Sequence, residues 1–273
     1  MRSFDWALYL LVFCVVVGTL FANEHNADAP EPPPTMLESD GPTLPPPSIL
    51  DEQILVQVTA PKDGIGTAFA INNNGDWITA RHVVDGCNSV GLLVAPDQYV
   101  PVGRVTVDPN HDLALLSTGR SPNAVKLALG TPLRVGDEGY HVGYPQGRPG
   151  EVATKLLSRS KLITRGRRDG AEPILAWAEI GRTQGLTGTL GGISGGPVFD
   201  KNGGVRGVIV AESPRRGRIY TAAPSSVEAF LTSLDVSTVD GPSEAFTQET
   251  YGPQSDNARR RLQVVKVACQ VKP

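Results

Sequence analysis

Short apolar runs, separated by turn-forming residues, cover most of the chain between residues 54 and 224. Such runs predict β-strands, and the pairs Asn74-Gly75 and Asn202-Gly203 predict hairpin turns between them. Many short strands over about 180 residues favour an antiparallel sandwich or barrel. The predicted strands are residues 54–60, 66–71, 77–80, 89–95, 99–107, 113–117, 133–144, 151–158, 174–180, 205–212 and 218–224.

Two further elements are predicted after these strands. Ser225 and Glu228 form a capping-box pattern, which predicts a helix through the amphipathic segment 227–234. Beyond Asp240 the chain becomes polar, until residues 262–271 alternate as a strand does. We expect this terminal strand to lie back on the main domain, with one face formed by Val265, Val267, Cys269 and Val271.

The N-terminal part of the chain has a different pattern. Arg2 precedes an uncharged apolar run over residues 6–22, so residues 1–22 are predicted to be either a cleaved signal peptide or a single membrane anchor. Residues 23–49, with eight prolines and five acidic residues, are predicted to be a linker. Either form of the N-terminus predicts an exported protein, in the periplasm or the cell envelope.

Composition narrows the function further. A chain of 273 residues can hold one large β domain, predicted at residues 50–240, with residues 241–273 as a C-terminal extension. The net charge of −3 gives no indication of a nucleic-acid partner. Cys87 and Cys269 can form a disulfide in an oxidising compartment or remain as two free thiols. Cysteines and histidines do not cluster at metal-ligand spacing, so we expect no metal and no other cofactor.

The candidate chemistry begins at residues 191–200, GGISGGPVFD, where glycines surround a single hydroxyl. Such a stretch is either a tight turn or a bend that presents Ser194 as a nucleophile. His82 follows the predicted strand 77–80 after one intervening residue, and Asp112 directly precedes another predicted strand. A serine nucleophile needs a nearby base and a carboxylate that orients this base, and these three residues supply such a set.

Other acidic residues and histidines compete for these roles. Asp85 and Asp108 are alternatives to Asp112, but we expect both to be capping or turn residues. The remaining histidines have no partner motif and are predicted to be surface or packing residues: His25, His111 and His141.

Five ordered sequence blocks carry a resemblance to a known family. They are GTAFAINNNGDWITARHVVDGC, DPNHDLALL, LRVGDEGYHVGYPQG, GGISGGPVFDKNGGVRGVIV and IYTAAPSS. In these blocks the chain resembles the trypsin-like (chymotrypsin-fold) serine proteases and, among them, the HtrA/Deg class of bacterial envelope proteases. The resemblance implies two antiparallel β-barrels, at about residues 50–130 and 131–235. It also implies an exported serine endopeptidase that acts on protein or peptide substrates in envelope quality control. The oligomeric state stays open.

The resemblance also implies roles for single residues. Ser194 would be the nucleophile, His82 the general base and then acid, and Asp112 the orienting carboxylate. The backbone N–H groups of Gly192 and Ser194 would form the oxyanion hole. A pocket without a carboxylate at its floor implies a preference for small aliphatic side chains, although Glu212 at the mouth could attract a basic one. The residues implied for this substrate pocket are Gly188, Val210, Ala211 and Glu212.

The chain departs from the resembled family at two points. Ile193 replaces the aspartate that pairs with a freed N-terminus in the digestive enzymes, so activation by that route is not expected. The 39 residues after Leu234 are too few for the PDZ domain usual in the HtrA/Deg class, which puts PDZ-based regulation in doubt. Two alternative functions remain at this point, a catalytically silent binding module on the same fold and an esterase that uses the same triad.

Overall fold

Two mainly antiparallel β-sheets with barrel-like curvature form the described part of the chain, residues 41–272 of a computed structural model. This architecture confirms the predicted all-β fold of two barrels. The strands are β1 (Glu52–Val58), β2 (Gly64–Ala70), β3 (Asp76–Thr79), β4 (Ser89–Ala95), β5 (Gln98–Pro101), β6 (Arg104–Val107), β7 (Ala114–Ser117), β8 (Lys126–Leu127), β9 (Glu138–Gly143), β10 (Gly150–Gly166), β11 (Gly170–Arg182), β12 (Pro197–Phe199), β13 (Gly204–Ser213), β14 (Arg218–Ala222) and β15 (Val264–Gln270). The helices are α1 (Arg81–Val84), α2 (Pro224–Ser233) and α3 (Tyr251–Arg260), with 3₁₀ turns at Pro145–Gly147 and Pro214–Arg216.

The first barrel is a seven-stranded sheet in the order β5-β4-β15-β2-β3-β7-β6. Its central strands β2, β3 and β7 are buried over most of their length, and their side chains form the core, for example Phe69 and Leu116, both fully buried. The terminal strand β15 lies between β4 and β2, with Val264 opposite Phe69. The terminal strand of the C-terminal extension is therefore an internal strand of the first barrel.

The second barrel is closed by strand β10. The 17-residue β10 pairs with β11 along most of its length, and its first part also pairs with β9, which completes the ring β10-β11-β14-β13-β12-β9. Strand β1 adds to the far part of β10 in parallel. The predicted barrel boundary placed β1 in the first barrel instead. Its half-exposed pattern is that of an edge strand, and such a pattern does not specify which sheet the strand joins.

A continuous apolar cluster joins the two barrels. It includes fully buried side chains from both, such as Phe69 of β2 and Tyr220 of β14. Burying a side chain of this size contributes about 1.5–3 kcal/mol. The shared core therefore holds the facing loops of the two barrels in a fixed relation.

The described end of the predicted linker packs on the second barrel. Leu44 is buried beside Leu133, whose carbonyl oxygen accepts the Leu44 N–H at 2.8 Å, and the Val135 N–H donates to the Pro42 carbonyl oxygen at 3.0 Å. The C-terminal end of the predicted linker, residues 23–49, therefore lies against the second barrel, because Leu44 has an apolar site to fill. The predicted signal or anchor, residues 1–22, and the remaining linker up to residue 40 lie outside the described residues.

The C-terminal helices differ from the prediction. Helix α2 begins at Pro224 after the N-cap Ala223, and no side chain caps it, so the predicted capping box at Ser225 and Glu228 does not form. Proline at the first helical position, with its fixed φ, sets this earlier start. Helix α3 was not predicted, since its polar sequence gives little apolar periodicity.

Cys87 and Cys269 are joined by a disulfide, with their Cα atoms 5.5 Å apart. Cys87 lies just after α1 and Cys269 lies in β15, so the bond fastens the terminal strand beside the helix that carries His82. None of the helices between residues 41 and 272 is both long and apolar enough to cross a membrane.

Candidate active site

His82 and Asp112 form a hydrogen-bonded pair in the first barrel. Helix α1, which starts directly after β3, carries His82. The His82 ring Nδ1 lies 2.6 Å from Asp112 Oδ2, and the His82 backbone N–H donates to Asp112 Oδ1 at 2.9 Å. Asp112 thus holds both the main chain and the ring of His82, which fixes the orientation of the imidazole.

The turn before β7 places Asp112 in this position. Asp108 Oδ1 accepts the N–H groups of Asn110 at 2.7 Å and His111 at 3.2 Å, while Oδ2 contacts the His111 ring at 2.8 Å. Asp85 forms an ion pair with Arg81 at 3.4 Å. The two rival carboxylates therefore act in turn formation and in a helix-surface pair, and neither contacts His82.

The pair shifts the pKa values of both partners. Loss of solvent around the ring would lower the pKa of His82, but the charge and hydrogen bond of Asp112 outweigh this and raise it above its usual value. Burial would raise the pKa of Asp112, but the charge and hydrogen bonds of His82 outweigh this and lower it. The imidazole is thus a stronger base than free histidine, beside a carboxylate that stays ionised.

Ser194 lies in a loop of the second barrel, between Thr189 and β12. Three N–H groups of this loop are bonded to backbone carbonyls: Ile193 to Leu190 at 2.9 Å, Gly195 to Ile209 at 2.8 Å, and Gly196 to Ile193 at 2.9 Å. Within residues 41–272, the N–H groups of Gly192 and Ser194 have no acceptor. The loop therefore leaves free the two backbone donors predicted for the oxyanion hole.

The carbonyl groups of the loop are held from the first barrel and from the 3₁₀ turn at Pro145–Gly147. The Gly191 oxygen accepts the Gln146 N–H at 2.6 Å, and the Gly192 oxygen accepts the Thr67 hydroxyl at 2.8 Å. The Ser194 oxygen accepts the Thr67 N–H at 2.8 Å. Because C=O and N–H point in opposite directions in a trans peptide, the first bond turns the Gly192 N–H away from Gln146. Glycine suits residue 192, whose φ is +103°.

One cleft of about 390 Å³ brings the predicted residues together, since its lining includes His82, Asp112, Gly192, Ser194 and Val210. Its position between the barrels and its mainly apolar lining, with a few polar groups, suit a ligand site. The Ser194 hydroxyl makes no hydrogen bond within the described part of the chain, so its contact with the His82 ring is not formed in this arrangement.

The predicted substrate pocket is only partly brought together. Val210 lines the cleft, whereas Gly188, Ala211 and Glu212 are absent from its lining. The Glu212 carboxylate accepts the Leu190 N–H at 2.8 Å and the Thr189 hydroxyl. Its oxygens are therefore engaged in holding the loop, which corrects the expectation that Glu212 stands at the pocket mouth to attract a basic side chain.

Two further histidines have structural contacts. His141 is fully buried, with Nε2 at 2.9 Å from the Thr154 hydroxyl and its ring edge-on to Trp177, and burial lowers its pKa to about 3. It is therefore a neutral packing residue at ordinary pH. His111 lies against Asp108, and His25 is outside the described residues. Between residues 41 and 272, no group of three or more His, Cys, Asp or Glu side chains could hold a metal ion.

Sequence reasoning missed three residues that support the site. Thr67, a fully buried polar residue inside an apolar strand, had the clearest signal. Gln146 lies in a Pro-x-Gly turn with φ of +54°, and Glu172 is a single charge just before a predicted apolar strand. Their contacts depend on the packing of distant segments, which no local pattern specifies.

A sequence model described as "Trypsin-like peptidase domain" matches residues 66–208. The chain is 27% identical over 204 residues to the uncharacterized protein y4bJ of Sinorhizobium fredii, which covers 69% of this chain and 30% of that protein. It is 32% identical over 167 residues to a probable periplasmic serine endoprotease DegP-like of Brucella suis, covering 59% of this chain and 31% of that protein. The chain thus spans less than a third of the length of either relative.

Solved structures show the same fold. The active form of the Rv3671c protease from M. tuberculosis has a TM-score of 0.52 at 17% sequence identity, and the match covers 77% of this chain and 99% of that chain. At this identity the likeness concerns the arrangement of the strands. It agrees with the two sheets described above.

Proposed function

This chain belongs to the trypsin-like peptidase family, and on that premise we propose that it is an exported serine endopeptidase acting through Ser194, His82 and Asp112. The observation that carries the proposal is the His82–Asp112 pair in one cleft with Ser194, beside two backbone N–H groups that have no acceptor in residues 41–272. A base, its orienting carboxylate, a hydroxyl and an anion site are the parts that acyl transfer requires.

The proposed reaction has two halves. Ser194 Oγ attacks the scissile carbonyl carbon while His82 Nε2 takes the hydroxyl proton, and the oxygen that becomes negative binds the N–H groups of Gly192 and Ser194. The C–N bond then breaks, and His82 gives its proton to the leaving amine. Water attacks the resulting ester with His82 again as base, which releases the acid and restores Ser194. Asp112 stabilises the imidazolium in both halves.

The missing Ser194–His82 hydrogen bond does not oppose this mechanism. Catalytic hydrogen bonds are often long or absent without substrate and form in the complex. We expect a bound peptide to bring the Ser194 hydroxyl to Nε2, the ring nitrogen not used by Asp112.

The proposal also includes export of the protein and proteolysis in the cell envelope. The Cys87–Cys269 disulfide suits an oxidising compartment, and the Brucella suis relative is named a periplasmic endoprotease. Protein substrates, rather than a narrow peptide set, fit a cleft open between two barrels. Oligomerisation and membrane attachment stay outside the proposal.

A catalytically silent binding module is the second candidate, and the unbonded Ser194 hydroxyl is the observation that favours it. Peptide hydrolysis separates the two. Purified full chain, and the Ser194→Ala variant as its matched control, should be incubated with an unfolded protein and with a fluorogenic peptide library. We expect cleavage by the first protein only. Equal product from both, or binding without cleavage by either, would reject the endopeptidase.

A further inference from the structure

A buried carboxyl group from the second barrel contacts the backbone of Asp112. Glu172 on β11 is 3% exposed, and its two oxygens lie 2.9 and 3.0 Å from the Asp112 N–H. No other hydrogen bond of this side chain occurs in residues 41–272. Glu172 is also absent from the cleft lining, so it lies behind the His82–Asp112 pair and does not face a substrate.

The hydrogen bonds of the turn before β7 leave one backbone N–H group for Glu172. Asp108 accepts the N–H groups of Asn110 and His111, which leaves the next N–H, that of Asp112, for Glu172. The side chain of Asp112 is directed to His82 at the same time. The pair in the first barrel is thus tied through this N–H to the barrel that carries Ser194.

The surroundings of Glu172 make its charge depend on pH. The charged groups that act on it are Asp112 and Asp108 from the first barrel and Arg168 from its own hairpin, and its charge in turn acts on His82. Leu162, the residue opposite Glu172 on β10, is an apolar neighbour. Burial first, and then the charge of Asp112, raise the pKa of Glu172 to about 8.

We propose that Glu172 is a positioning residue for the hydrolysis proposed above: it fixes the Asp112 backbone across the barrel interface and, once ionised, adds a second negative charge behind the imidazolium of His82. The neutral carboxyl still accepts the Asp112 N–H through its carbonyl oxygen. The ionised form also stabilises the positive charge that His82 acquires during attack. Activity therefore rises once with the deprotonation of His82 and again near pH 8.

Glu172→Gln and Glu172→Leu test the two parts separately, because glutamine keeps an acceptor oxygen without the charge and leucine removes both. With the full chain, kcat and KM should be measured from pH 6 to 10. We expect E172Q to keep the first rise and lose the second. E172L should lose about tenfold in kcat with KM within about twofold. The matched control E228Q, an exposed carboxyl on α2, should follow the wild type.

Identical pH profiles for wild type and E172Q, or wild-type kcat in folded E172L, would overturn the proposal. A readout that needs no turnover distinguishes its failure from that of the proposed function. In the Ser194→Ala background, NMR resonances of the His82 ring should show a second inflection near pH 8 that E172Q removes. If Ser194→Ala shows this inflection while the wild-type chain hydrolyses nothing, only the proposed endopeptidase activity fails. If it is absent, the role of Glu172 fails whatever the activity.

Discussion

The two halves of the candidate site are held in different ways. In the first barrel, side-chain oxygens of Asp112 hold the ring and main chain of His82. In the second barrel, the Ser194 loop is held through its carbonyl groups, by Thr67 and by the N–H of Gln146. Replacing the single side chain of Asp112 should therefore disable His82. Replacing the residues that hold the Ser194 loop should lower activity only in part, because these residues do not line the cleft.

The largest effect is expected from Asp112→Asn. The amide has a single acceptor oxygen, so when this oxygen accepts the His82 backbone N–H, the NH2 group faces the ring and favours the wrong tautomer. The amide also carries no charge to stabilise the imidazolium, so kcat/KM should fall about 10⁴-fold. Steady-state peptide hydrolysis measures this loss. Glu228→Gln is the control, because this exposed carboxyl group lies on α2 and does not line the cleft, and it should keep wild-type activity. A loss in kcat/KM below about tenfold for D112N would show that the contacts of Asp112 with His82 are not decisive for catalysis.

The contact between Glu172 of the second barrel and Asp112 of the first should make the free energy of unfolding depend on pH. The pKa of Glu172 is raised from 4.5 to about 8, so between these values the folded chain keeps a proton that the unfolded chain has released. The contribution of Glu172 to stability therefore falls as pH rises through this window, by a few kcal/mol in all, and the loss is complete just above pH 8. In urea unfolding, the stability of E172Q relative to wild type should increase from pH 5 to pH 8.5. A constant difference would contradict the raised pKa.

Thr67→Val tests how the Ser194 loop is held through its carbonyl groups, because valine has the same shape as threonine but lacks the hydroxyl. It removes the hydroxyl that donates to the Gly192 oxygen and accepts the Tyr144 N–H. We expect kcat to fall about tenfold to a hundredfold, and affinity for a peptide aldehyde, whose adduct occupies the oxyanion hole, to fall in parallel. Thr154→Val, another fully buried threonine, should lose stability but keep kcat. Equal kcat values for Thr67→Val and Thr154→Val would show that Thr67 does not support the oxyanion hole.

Gln146→Gly should give the smallest effect and refine the comparison. The side-chain amide donates to the carbonyls of Thr187 and Thr189, at 2.8 and 2.9 Å, while the backbone N–H that holds Gly191 survives the substitution. Losing two partly exposed hydrogen bonds should lower kcat/KM about threefold to tenfold. Because glycine adopts the positive φ of residue 146 without strain, stability should not fall in parallel. Activity and stability falling together would make Gln146 a purely structural residue.

The same contrast explains which parts of the fold and of the candidate site could be predicted from the sequence alone. Most strands were predictable because short apolar runs between turn-forming residues indicate strands, and His82, Asp112 and Ser194 were predictable because motifs next to strand ends carry them. Thr67, Gln146 and Glu172 were missed because each acts through main-chain partners at least 41 residues away, and such partners leave no local pattern. Glu212 was misplaced for the same reason, since its partners are the backbone and hydroxyl groups of the loop.

The central claim is that the His82–Asp112 pair activates Ser194 as a nucleophile. Reaction of the full chain with a fluorophosphonate, followed by mass spectrometry of the labelled peptide, tests it most directly. We predict one label, on Ser194 of the wild-type protein, with none on Ser194→Ala and much slower labelling of Asp112→Asn. Equal labelling of wild type and Ser194→Ala, or no labelling of either, would contradict the account.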